Sequence, residues 1–389
     1  MTQETPHTHF PRPRAHARAL TPVRALTPAL ALAPILALAP AALLSCDDEA
    51  EEGTGVVRFV LQAEDLVTRG IAAGEGSADI RDGWAARFDS YRVALTGVEL
   101  RSGAEARRAP ESYMVDLTRV PESGFPGWSL AGVPARRWDV WYETPLASEV
   151  PAEELAAALP DGDLTSAADE QAAATRMRSE GLSYLIAGAL SAAGGASCPP
   201  RDLATPPPGA TPTRQNERGD DCFAAAEVRF ELAVGAEALY GPCELDGVPG
   251  VAVPSGGEVT VALTLHVDHM FFNGFPEGSE AGVQRLAQWL ADCDLDLDGV
   301  VTMEELGRVA PAQVLDDRFQ LGGAPVSQLA TMADYMRAQL MTQGHYQGEG
   351  ECAVNGVAHE HEGEHEGEHE GEHEGEHEGE HEGEHADEP

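Results

Sequence analysis

The chain contains no lysine, so its basic charge is arginine alone, and 25 basic residues face 66 acidic ones. The formal net charge is -41 over 389 residues. Charge of this sign repels nucleic acid and anionic membrane surfaces, and it favours cations or basic partners. The same acidity also serves as a solvating surface. The residues from His359 onward carry about -15, those before Cys46 about +3, and the body between them about -29. Between Cys46 and His359 the chain has no nucleophile motif, no H-E-x-x-H pair and no phosphate-cradling glycine loop, so nothing in that body points to an enzyme.

The amino terminus reads as an address. Arg12, Arg14, Arg18 and Arg24 form a basic region ahead of the apolar stretch ALTPALALAPILALAPAALL. Pro22, Pro28, Pro34 and Pro40 recur every sixth residue, which would break a membrane-spanning helix repeatedly. The stretch ends in Leu43-Leu44-Ser45-Cys46, which resembles a bacterial lipobox. That resemblance implies cleavage of residues 1–45, lipidation of Cys46, an acidic linker over 46–54, and a membrane-anchored extracytoplasmic lipoprotein. An ordinary secretory signal with a chance cysteine is the competing reading. An oxidising compartment would let Cys198, Cys222, Cys243, Cys293 and Cys352 pair, with one left over; spacing alone does not give the connectivity.

Residues 55–270 alternate apolar and polar side chains at strand period. The segments are Val56–Leu61, Phe88–Leu100, Tyr113–Leu117, Arg137–Glu143, Leu182–Leu190, Glu227–Val234 and Val259–Val267. Within WDVWYE, Trp138, Val140 and Tyr142 share one face, and Asp139, Trp141 and Glu143 the other. Seven such runs predict a mainly β fold, an immunoglobulin-like β-sandwich, although the Cys–Trp–Cys signature of true immunoglobulin domains is absent. Two insertions interrupt it. Pro151–Glu180 reads as helix broken at Pro160-Asp161-Gly162, and 194–221 as a Pro-rich surface loop that Cys198 and Cys222 would close.

Residues 294–305, DLDLDGVVTMEE, fit the twelve-residue EF-hand loop at every constrained position. Asp294, Asp296 and Asp298 stand at positions one, three and five, with Gly299 at the sharp turn of position six. Val300 would offer its carbonyl, Thr302 its hydroxyl or a bound water, and Glu305 both carboxylate oxygens. A register starting at Asp292 fails because Leu297 would take the glycine position. Val283, Leu286, Ala287 and Leu290 predict an amphipathic entering helix, and Met303–Ala310 a short exiting one. The resemblance to EF-hands spans about thirty residues of a 280–345 segment, and no second loop accompanies it. It implies Ca²⁺ as cofactor, held as a structural clamp.

Between signal and tail the only histidines are His266, His269 and His345. On a strand, His266 and Asp268 would face one way and His269 the other, unless the strand ends there. If the helix with the apolar stripe Leu329, Ala333, Met336 and Leu340 packs back, His345 approaches them. Such a set suits Zn²⁺ or Cu²⁺; structural histidines are the alternative. The tail 359–389 repeats His361, His365, His369, His373, His377, His381 and His385 at helical spacing. Gly363, Gly367, Gly371, Gly375, Gly379 and Gly383 return every turn, and at about 0.8–1.0 kcal/mol each they predict a disordered metal-free tail.

A β-rich body, an H-x-D-H strand, one EF-hand loop and a terminal G-H…C together resemble a group of uncharacterised bacterial secreted lipoproteins. The expectation is a calcium-binding lipoprotein with a binding or structural role, anchored to the membrane by its lipid and not contacting nucleic acid. The alternative is a transition-metal (Zn, Ni or Cu) buffer or delivery lipoprotein using the tail.

Overall fold

Alternation becomes strand wherever one face can be buried. In Glu227–Val234 every second side chain is buried, Val228, Phe230, Leu232 and Val234. The computed structural model describes residues 53–151, 155–158, 167–275 and 282–356. The signal segment, Cys46 and the histidine-rich tail lie outside the described residues.

The chain is mainly β, built as several sheets consistent with a β-sandwich. One sheet runs in the order Gly344–Tyr346, Glu258–Leu265, Thr54–Ala63, Phe125–Pro134. A larger sheet has the principal order Ala238–Leu245, Arg137–Thr144, Ala85–Ser102, Tyr184–Ser191, Glu227–Val234, Val300–Thr302. All seven segments expected from alternation are strands, within a few residues at their ends. Trp138, Val140 and Tyr142 are buried as their spacing requires. One core joins both sheets, with Phe59, Trp84, Tyr91, Trp138, Phe230 and Trp289 among its largest members.

Ala85–Ser102 is buried on both faces over its second half. Its inner face meets the core. Its outer face, at Ala94, packs with Ala173, Ala174 and Met177 of the helix Ala168–Glu180. Arg92 pins that helix, donating from Nε and an Nη to the two oxygens of Glu170, each at 2.9 Å. The expectation of a helix before the break at Pro160-Asp161-Gly162 is corrected: Leu155–Ala158 is a strand, parallel to Ser112–Asp116, while the helix after it forms over Ala168–Glu180. Alanine has no strong refusal of either state, and the neighbouring edge decides.

The carboxy-terminal segment is woven into the sandwich. Val300–Thr302 runs parallel to Arg229–Glu231, and Gly344–Tyr346 pairs with Leu263–Leu265. Between these edge strands in sequence comes the helix Met332–Met341, most of whose residues are buried. Its end is held by the inner-face tyrosines: Tyr184 donates to the Leu340 carbonyl at 3.1 Å and Tyr91 to Gln343 at 2.7 Å. Disulfides join Cys198 to Cys222, closing the Pro-rich loop, and Cys243 to Cys352. Cys293 is a buried free thiol. Among the described residues no helix is long and apolar enough to cross a membrane.

Candidate metal centres

The loop 294–305 starts where the core stops. Leu295, Val301 and Leu306 are fully buried and fix the loop from beneath. Its incoming segment differs from expectation. Residues 283–287 are not helical, and only Gln288–Ala291 forms a short helix. The apolar residues spaced for a helix face are instead used individually: Leu286 donates its N–H to the Phe271 carbonyl, and Ala287 and Gln288 donate theirs to Asp82. The outgoing helix is likewise brief, Met303–Leu306.

Gly299 has φ +84°, a conformation in which a side chain is strained, and its carbonyl accepts from Arg229 at 2.8 Å. That turn and the pairing of Val300–Thr302 hang the loop on the edge of the larger sheet. Asp294, Asp296 and Glu305 converge, with one ligand oxygen of each within 4.8 Å of the others. Asp294 is 2% exposed. Its Oδ2 accepts from Gly299 at 3.1 Å, while its buried Oδ1 has no hydrogen-bond partner. Glu305 accepts from Leu295 at 3.0 Å through Oε1 and from Thr302 through Oε2, closing a capping box with Thr302. A carboxylate has about four lone-pair sites, so Glu305 retains acceptor capacity.

Asp298 is outside the converged group; it is exposed and accepts from Val300 at 2.8 Å. The Thr302 hydroxyl is engaged by Glu305. Burial pushes the Asp294 carboxyl up to about 7, with the Glu305 charge adding to it, and burial also raises Glu305. Nearby Asp292 is pushed up to about 7 by burial, although Cys198, Gln288 and Arg218 all favour its charged form. Asp292 is not a loop ligand. It ties the loop's base to the Cys198 backbone at 2.7 Å.

A second group lies at the other sheet. The strand Glu258–Leu265 ends before His266, and Val267–Phe271 is a 3₁₀ turn. Strand alternation therefore no longer applies, and His266 and His269 come to one side. Pairing of Thr264 with His345 brings the third ring. His266, His269 and His345 offer ring nitrogens within 4.8 Å of one another, and none is more than 5% exposed. Asp268 departs from the expected set: it is ion-paired with Arg285, whose Nε donates at 2.6 Å. A buried carboxylate takes the nearest guanidinium before it takes an imidazole.

Glu64 and Glu349 form an overlapping group with His266, and the sequence reading missed both. The parallel register Ala63–Leu265 sets Glu64 beside His266, across about two hundred residues. Nothing local could have signalled it. The tail histidines fall outside the described residues.

The structure thus presents candidate metal-binding groups on separate sheet edges, one of carboxylates and one of imidazoles. No protein-family model, curated protein or solved structure matches the chain.

Proposed function

We propose that the chain is a calcium-binding extracytoplasmic lipoprotein with a binding or structural role, in which Ca²⁺ bound by the 294–305 loop stiffens one edge of the sandwich. The observation that carries this is the Asp294 carboxylate: buried, aimed at Asp296 and Glu305, and with one oxygen unpartnered. Three carboxylates gathered without a cation repel one another, and a buried acceptor without a donor costs about 1–3 kcal/mol. A hard divalent cation relieves both at once. Calcium is preferred because every offered donor is oxygen and the loop supplies six positions in the order its coordination needs. Asp298, the Val300 carbonyl and the Thr302 hydroxyl complete the sphere when the ion draws the loop inward.

The lipid anchor at Cys46 belongs to the same proposal, and two disulfides suit an oxidising compartment. The single loop sits on a β edge without a paired partner among the described residues, which favours a clamp over a sensor. Affinity on the order of 10⁻⁴ to 10⁻³ M is the range of extracellular modules.

Thermal unfolding tests it. At free calcium ten to a hundred times Kd, stability rises by about 1.4–2.7 kcal/mol. The melting temperature of the mature chain should therefore climb with calcium and return on chelation. A melting temperature indifferent to calcium up to tens of millimolar would rule the proposal out.

A further inference from the structure

We infer that His266, His269 and His345 form a second metal site, for a divalent transition ion of the imidazole-preferring class, independent of the calcium loop. Three buried imidazoles meet where the Glu258–Leu265 strand breaks into a 3₁₀ turn and the edge strand Gly344–Tyr346 crosses it. Two of the rings are held in place by hydrogen bonds to neighbouring oxygens. His269 Nδ1 lies 2.9 Å from the Thr342 hydroxyl, and that hydroxyl's own proton goes to the Gln339 carbonyl at 2.8 Å. Thr342 can then only accept, so His269 carries a proton on Nδ1. His266 Nε2 lies 3.1 Å from the Gly348 carbonyl, which also only accepts, so Nε2 carries a proton. The Glu64 carboxylate stands 3.7 Å from the Nδ1 of His266 and adds negative charge beside the ligand set.

A metal-bound histidine donates its other ring N–H to a carbonyl, hydroxyl or carboxylate, and the bonds of His266 and His269 supply that second shell. Three nitrogen ligands and no thiolate suit Zn²⁺ or Cu²⁺, with a fourth position for water or a carboxylate. His266 and His345 lie stacked, ring centroids 3.9 Å apart and planes at 13°. No ion can lie in both ring planes at bonding distance in that pose, so loading turns one ring.

The test uses the full chain with the tail histidines, His359 to His385, replaced by glutamine. Co²⁺ is titrated into the metal-free protein and its visible d–d absorption followed. The expected result is a four-coordinate spectrum saturating at about one equivalent, displaced by Zn²⁺ or Cu²⁺, and lost in His266→Gln and His345→Gln. The ion that displaces Co²⁺ at lower free concentration is the preferred one. Absence of the band, or a band indifferent to both substitutions, overturns the proposal. Should the variants not fold, the ring proton signals of His266, His269 and His345 decide it without mutation: all three shift together on adding Zn²⁺ if the site exists, and stay in place if it does not.

Discussion

Asp294 shows why a single carboxylate can both weaken and organise a loop. Buried and pushed up to about 7, its charged form is disfavoured unless a cation stands against it. Asp294→Asn should therefore have opposite effects in two conditions. At pH 8 without calcium the variant should be more stable than the native chain by roughly 1–2 kcal/mol, because a neutral amide replaces a desolvated charge and still accepts from Gly299. With calcium present the order should reverse, since the variant gains nothing from the ion. Paired thermal melts with chelator and with calcium check it, and a variant that is less stable in both conditions would contradict the account. Glu170 is the opposite kind of buried carboxylate. Arg92 hydrogen-bonds it and holds its carboxyl below the usual range. A group with a lowered folded pKa contributes stability that is present above about 4.5 and is lost as pH falls through the folded value. Glu170→Gln should thus cost about 2–3 kcal/mol at pH 7, with the gap to the native chain closing as pH falls below 4.5. A gap of constant size from pH 7 to pH 3 would show that the ion pair is not its source.

Elements were legible in the sequence where burial on one face is regular and illegible where partners are distant. Glu227–Val234 is legible residue for residue because its alternation is unbroken. The 283–290 apolar spacing suggested a helix, but Asp82 and the Phe271 carbonyl capture those backbone N–H groups, and helix forms only over Gln288–Ala291. Leu155–Ala158 reads as helix by composition and becomes strand because Ser112–Asp116 offers an open edge. Of the loop's expected ligands the structure gathers Asp294, Asp296 and Glu305, which lie within twelve consecutive positions of the sequence. The histidine group was legible only as three residues of the right type. What assembles them is the strand ending at Leu265 and a register across the sheet. The Cys198–Cys222 loop gives an element-scale prediction. It packs on the base of the 294–305 loop through Cys198 to Asp292 and Thr205 to the Leu295 carbonyl at 2.7 Å. A Cys198→Ser, Cys222→Ser double variant should lose about 3 kcal/mol of stability and bind calcium more weakly. Unchanged calcium affinity in a destabilised double variant would show that the two loops are energetically separate.

At the scale of the whole molecule, the carboxy-terminal third is what closes the sandwich. Val300–Thr302 and Gly344–Tyr346 cap one edge of each principal sheet, and the Met332–Met341 helix fills the core between those segments of chain. Covering sheet edges guards against pairing with other chains. An ion clamped at the first of those edges, as proposed, would act on the fold as a unit, which is how one loop without a partner among the described residues would matter to the domain. The most direct measurement is a calorimetric titration of calcium into the native protein and into Glu305→Gln. The account predicts a single binding isotherm for the native protein. It predicts an affinity at least about tenfold weaker, 1.4 kcal/mol or more, in the variant. No calcium heat in the native chain, or the same isotherm in both proteins, would contradict it.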